Sequence, residues 1–252
     1  MSVAIVTDRV ADRPRDYVRV AGPDAEDFLQ RMVSNDVSGD WCEALLLTPK
    51  ARVVAPLVVV RRSPEDFLLL TEPGLGEVVR GTLGRARFAA KVEIEAEEHT
   101  SHVVLGEADG GIPNRDYGEP AVELLDADRR ATLDAAELER LRIESGSPAW
   151  GKEIDDRVLP AEAGLERRSI SFTKGCYPGQ EPVARQHYRG KVNRRLRVLE
   201  IEAAEPGDEI LLEGRVVGRV TSAVPGRALG YVRVEVPDDS ELSVRGQPAR
   251  LH

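Results

Sequence analysis

Cysteine is almost absent from this chain, which carries two in 252 residues. Cys42 and Cys176, far apart in sequence, cannot build a disulfide framework. Nor can they supply the four protein ligands of an iron–sulfur cluster within one chain. No apolar run approaches the ~18 residues that cross a bilayer. The longest, Val53 to Val60, is interrupted by Pro56 and suits a buried strand. The N-terminus lacks a basic region followed by an apolar block, so no signal peptide is read there. An excess of basic charge is missing too. The net charge of −9 argues against a dedicated nucleic-acid binder, whose affinity comes mainly from neutralising phosphates. There is no internal repeat and no low-complexity tract. With 41% hydrophobic and 31% charged residues, the composition is that of a globular protein large enough for a sizeable core. These absences together point to a reducing cytoplasm, no membrane or nucleic-acid partner, and a monomer.

What is present concentrates in Lys174-Gly175-Cys176-Tyr177-Pro178-Gly179-Gln180-Glu181. Two glycines bracket the cysteine, as where the backbone must turn sharply or a ligand must come close. A nearby ammonium favours thiolate over thiol, so Lys174 is expected to activate Cys176. Free cysteine is usually buried, but these neighbours show no apolar alternation, and an exposed, reactive thiol is expected. Cys42, between Trp41 and the run Ala44-Leu45-Leu46-Leu47, reads as core or near-core. From Pro182 to Leu199 stand Arg185, Arg189, Lys191, Arg194, Arg195 and Arg197 with no acid among them. On an acidic protein such a strip attracts small polyanions.

The octapeptide resembles the Lys-Gly-Cys-Tyr-x-Gly-Gln-Glu signature of the YgfZ-type folate-binding proteins, relatives of the T-protein (aminomethyltransferase) of the glycine cleavage system. Similar matches run from Ala21 to Gln30, Leu141 to Pro148, Gly151 to Ile154, Leu159 to Leu165, Tyr188 to Gly190 and Arg194 to Leu196. The resemblance implies an α+β, T-protein-like fold. Its split first domain would comprise residues 1–47 and 130–190, with an inserted ferredoxin-like α+β module at 48–129 and a small β-barrel at 191–252. It implies tetrahydrofolate as ligand, iron–sulfur client or assembly proteins as partners, and a role in assembly or repair of iron–sulfur proteins with Cys176 as reactive thiol. The rival is a folate-dependent aminomethyltransferase or demethylase-type one-carbon enzyme.

The resemblance also nominates folate contacts. In Arg115-Asp116-Tyr117-Gly118-Glu119-Pro120-Ala121-Val122-Glu123, Glu119 matches the glutamate that holds the pterin edge, where a carboxylate can accept paired N–H bonds. Tyr17 stands where relatives carry an aromatic able to stack on the ring, while Leu138 replaces a second one. Arg142, either a ligand or a structural ion pair with Glu144, and Gln180 complete the set, with Arg185 and Arg189 facing a polyglutamate tail. One departure separates the relatives. The T-protein's catalytic aspartates fall at Ala55 and Pro56, neither of which can exchange a proton.

Periodicity supplies the elements. Helices are expected from Gly22-Pro23-Asp24 through Val33, over Leu75–Phe88 and over Asp134–Glu144. Strands are expected at Val18–Val20, Arg52–Arg61, Phe67–Thr71, Lys91–Glu95, His102–Leu105 and Ala121–Leu125, with a loop at Asp109–Asn114. Five short strands between Leu196 and Val244, separated by Gly and Pro turns, suggest the barrel. His99 and His102, three apart in a strand-like stretch, point to opposite faces and read as exposed polar residues, not a metal site.

Overall fold

Buried apolar residues recur every second position along Val53, Ala55, Leu57 and Val59, which makes that segment a strand with one face turned to a core. In the computed structural model, which describes residues 9–106, 110–118, 120–190 and 192–252, the chain opens with β1 (Arg9–Asp12), β2 (Asp16–Ala21) and α1 (Ala25–Met32). The hairpin β3 (Trp41–Leu47) and β4 (Val53–Ser63) follows, then β5 (Asp66–Thr71), α2 (Gly76–Ala86) and β6 (Glu93–Glu97). Next come β7 (Ser101–Leu105), β8 (Ile112–Asn114), β9 (Ala121–Leu125), α3 (Ala135–Glu144), α4 (Glu166–Ser169) and α5 (Gln180–Arg189). The C-terminal strands are β10 (Arg194–Ile201), β11 (Glu209–Leu212), β12 (Arg215–Val224), β13 (Gly226–Arg233), β14 (Leu242–Val244) and β15 (Gln247–Leu251).

Two open sheets and one barrel result. The first sheet has order β3-β4-β5-β2-β6, the second β1-β7-β9-β8, and β10-β13-β12-β11-β14-β15 close on themselves. One face of the first sheet buries Val20, Leu46, Ala55, Leu57 and Leu69 under Phe28 and Leu29 of α1 and Val79 and Leu83 of α2. α1 forms because Ala25, Phe28 and Leu29 share a stripe, with Glu26 and Asp27 at its positive end and Arg31 at its negative end. α3 begins on a capping box between Asp134 and Glu137. The barrel fills with Leu199, Ile201, Ile210, Val220 and Val244. No helix of the described residues is long and apolar enough to cross a membrane.

Five readings change or gain detail. The boundary at 47/48 runs through the β3–β4 hairpin, whose residues pair from Trp41↔Val60 to Leu47↔Val53. One sheet therefore takes strands from both sides of that division. Residues 112–114, expected as loop, add a short edge strand on β9. Gln247–Leu251, unassigned from sequence, closes the barrel against β10. The first half of the basic strip is a helix, α5. Pro182 sits in its first turn, where its missing N–H costs nothing. His99 is not free. It lies between Asp126 (Nδ1–Oδ2, 2.6 Å) and Glu97 (Nε2–Oε2, 2.8 Å), two carboxylates that raise its pKa against the opposing effect of burial. Among the described residues no cluster suits a metal ion.

Candidate functional site

The second face of the first sheet looks away from α1 and α2 and bounds a cavity of about 280 Å³. Its wall includes Glu43 and Leu45 of β3 and Pro56 and Val58 of β4. Arg13, Arg15 and Glu72 edge it, Asp116, Tyr117 and Glu123 come from around β9, and Trp150 and Arg168 close it. Alternation explains the lining. Ala55 points into the helix-covered core and is wholly buried, so Pro56 faces the cavity.

The charges in this wall are organised by arginines. Arg15 holds Glu123 in a two-bond fork, Nε–Oε1 and Nη2–Oε2 both 3.0 Å, with side chains only 5% and 2% exposed. Ser101 Oγ donates to Glu123 Oε1 at 2.6 Å. Arg13 and Arg15 both reach Glu72 Oε1, at 2.6 and 2.8 Å. Arg168 bridges two carboxylates, Nε to Glu43 Oε2 and Nη2 to Asp116 Oδ1, each 2.8 Å. Burial alone would raise Asp116 and Glu123, but the neighbouring guanidinia of Arg168 and Arg13 at Asp116, and of Arg15 at Glu123, hold both below the usual carboxylate range. At Glu43 burial wins and its carboxyl is raised. Arg13 Nε is buried with no hydrogen-bond acceptor, an unmet donor at the cavity's edge. A desolvated space of this size with forked donors and acceptors suits a small planar polar ligand.

Cys176 lies elsewhere, on the exposed loop that enters α5. Gly179 caps that helix in the left-handed region, φ 83°, and packs on the β3–β4 turn. Tyr177 anchors the loop in an apolar cluster with Leu165, Ile170 and Val183. Lys174 is not committed to Cys176. Its Nζ donates to the Val33 and Asn35 carbonyls, both at 2.8 Å, and lies 5.5 Å from the Tyr177 ring centre. Burial lowers its pKa to about 8, opposed by Asp36 and by Cys42, the thiol to which it is electrostatically coupled. The lysine thus ties the cysteine loop to the end of α1. Cys42, half-buried against the helix-covered core, has its thiol pushed up to about 12, chiefly by burial. The thiolate is the nucleophile, so Cys176 is expected to react with a maleimide about tenfold faster than Cys42 or more. Mass spectrometry after competitive labelling measures this, and equal rates would contradict it.

The nominated folate residues do not assemble as expected. Tyr17 is buried among Leu68, Leu70 and Ile112 with its ring edge-on to His99, outside the cavity's lining. Gln180, Arg185 and Arg189 are on α5 and do not line it either. Arg142 does line it, yet its guanidinium is taken by Glu139, Glu153 and Ser222 of the barrel, at 2.7–2.9 Å. Its ion-pair partners are Glu139 and Glu153, while Glu144 pairs with Arg140. Glu119 and Lys191 lie outside the described residues. The strip itself is divided, since Arg194 pairs with Glu162 and Arg197 with Asp238 on the barrel side. Sequence reasoning missed Arg13, Arg15, Glu43, Asp116, Glu123 and Arg168. One signal was available for Glu123: it falls with Ala121 on the inward side of an alternating strand.

The architecture is that of a T-protein. It matches the glycine cleavage system aminomethyltransferase T from Bartonella henselae with a TM-score of 0.82, covering 96% of this chain and 84% of that one at 19% identity. Residues 182–252 match the model of the CAF17 C-terminal beta-barrel domain. The tRNA-modifying protein YgfZ of Pectobacterium atrosepticum is 36% identical over 245 residues, spanning 77% of this chain and 71% of that protein. The chain belongs to the YgfZ family. A further relative is the mitochondrial iron-sulfur cluster assembly factor IBA57 homolog of Mycosarcoma maydis, 27% identical over 219 residues that cover 72% of this chain and 54% of that one.

Proposed function

We propose that this protein is a folate-binding accessory factor for assembly or repair of iron–sulfur proteins. The reading takes its partner class from the IBA57 homolog's name and its ligand class from the T-protein relationship. The carrying observation is the cavity itself, which keeps paired arginines and carboxylates suited to a pterin ring while presenting Pro56 where an aminomethyl-transferring enzyme needs an acid. The ring end of tetrahydrofolate would meet Glu43, Arg168 and the unmet Arg13 donor; bound folate supplies one-carbon and reducing chemistry. At about 280 Å³ the space is at the low end for a small-molecule pocket, so a glutamate tail would extend outside it. Exposed Cys176 is the group offered to a protein partner, in a reducing compartment where both thiols stay free. Lys174 serves it by fixing its loop.

Two measurements test this. Calorimetry should show tetrahydrofolate binding to the purified protein, with no ammonia released from an aminomethylated carrier protein. In cells lacking their own YgfZ-type protein, the wild type should restore iron–sulfur enzyme activity and Cys176→Ser should restore little. Robust ammonia release would return the transferase reading, and full rescue by the serine form would remove the thiol from the mechanism.

A further inference from the structure

The cavity wall has no carboxylate on β4, but it has one on the adjacent strand. The β3–β4 register pairs Leu45 with Pro56 and Glu43 with Val58. Residues two apart on a strand share a face. Glu43 is therefore the diagonal neighbour of Pro56 on that face, at roughly 7–8 Å, within reach of a long side chain. Both line the cavity. The Glu43 side chain is 13% exposed and is held on Oε2 by Arg168 Nε at 2.8 Å. The same guanidinium serves Asp116 at 2.8 Å. One cation cannot fully compensate two buried carboxylates, so a proton brought to the pair has a preferred seat. Asp116 has Arg13 and Arg15 as further cations in its field. Glu43 faces Arg168, Asp116, Arg115 and Arg15, and Asp116 acts against its charge. The seat is Glu43.

We propose that Glu43 is the acid–base group of this cavity, standing in from β3 for the carboxylates missing from β4, and that it passes a proton to an acceptor nitrogen or carbonyl of a heteroaromatic ligand lying against Pro56. The step is a simple exchange. The Glu43 O–H bond breaks, an N–H or O–H bond forms on the ligand, and the carboxylate left behind is met by Arg168. The return transfer restores the start. This rests on the ligand reading above. The opposite displacement of the two carboxyls, Glu43 upward and Asp116 downward, is how paired groups divide acid and base duties.

The test uses folinic acid, a stable reduced folate, and two variants. Wild-type affinity should fall as pH rises through the Glu43 titration, by up to about tenfold per pH unit for one linked proton. Glu43→Gln has no proton to give and should bind with a flat pH profile near the wild type's high-pH affinity, as should Glu43→Ala, more weakly still. Independently of any ligand or variant, carbon NMR of wild-type protein labelled at glutamate carboxyls should show Glu43 titrating above the ordinary value of about 4.3. Indistinguishable pH profiles for wild type and Glu43→Gln would overturn the proposal, as would ordinary titration of Glu43. Failure of the wild type to bind at any pH would remove the ligand reading and this proposal with it, whereas binding without the pH dependence removes this one alone.

Discussion

Arg15→Met is expected to lower the melting temperature by roughly 6–20 °C. Removing one partner of a buried ion pair costs about 3–5 kcal/mol, because the other charge is left uncompensated, and each kcal/mol moves a protein of this size by about 2–4 °C. Glu123 would be the stranded charge, with a side chain 2% exposed, and Ser101 and Asn114 as its remaining donors. Glu72 would keep Arg13. The double change Arg15→Met with Glu123→Leu should recover most of the loss, since an apolar pair of similar volume often does as well as a buried ion pair. Calorimetric scans of Arg15→Met, Glu123→Leu and the double variant decide this. Singles within a degree or two of wild type would mean that the fork is not coupled to folding. The same pair sets an acid limit. Glu123 and Asp116 are both held below the ordinary carboxylate range. Their stabilisation is fully present above the unfolded carboxylate pKa, about 4, and is lost as pH falls through the folded values. The Arg15→Met/Glu123→Leu protein should therefore lose less stability than wild type over that acid interval.

The architecture was legible where local patterning decides it. Alternation along Val53–Val59, the stripe Ala25-Phe28-Leu29 and the Gly and Pro turns after Arg194 each fix an element from nearest neighbours alone. The Cys176 loop was also legible, because a cysteine among Lys, Gly, Tyr and Gln has no apolar face to bury. The cavity was not. Its decisive bonds join residues such as Arg15 and Glu123, 108 positions apart, and Arg168 and Asp116, 52 apart. Periodicity says that Glu123 points inward, but not that a guanidinium from β2's approach waits there. The resemblance pointed to the stretch Arg115–Glu123, in which Asp116 and Glu123 line the cavity, and nominated Glu119, which lies outside the described residues. Lys174 illustrates a different limit. Spacing placed it beside Cys176, and only the fold reveals that two carbonyls at the end of α1 capture its ammonium. Tyr17 illustrates a third limit, since an aromatic between Asp16 and Val18 reads the same whether its ring faces a ligand or the apolar contact between two sheets.

The two glycines around Cys176 looked equivalent in sequence and should behave very differently. A Cβ on Gly175 would meet nothing within 4 Å. A Cβ on Gly179 would sit 2.6 Å from the Thr48 carbonyl oxygen and 3.1 Å from Ala51 Cα, on a backbone at φ +83°. Left-handed geometry costs a non-glycine residue roughly 1–2 kcal/mol, and the contact at Thr48 is with backbone that cannot swing aside. Gly179→Ala must therefore push the start of α5 off the β3–β4 turn, and the loop carrying Cys176 moves with it. Gly175→Ala should leave both the melting temperature and the Cys176 labelling rate close to wild type. Gly179→Ala should lower the melting temperature by several degrees, about 2–4 °C for each kcal/mol, alter the labelling rate, and abolish rescue in cells lacking a YgfZ-type protein. Hydrogen exchange across residues 170–190 would locate the change. Equal behaviour of the two variants would show that the contact with the β3–β4 turn does not hold the thiol in place.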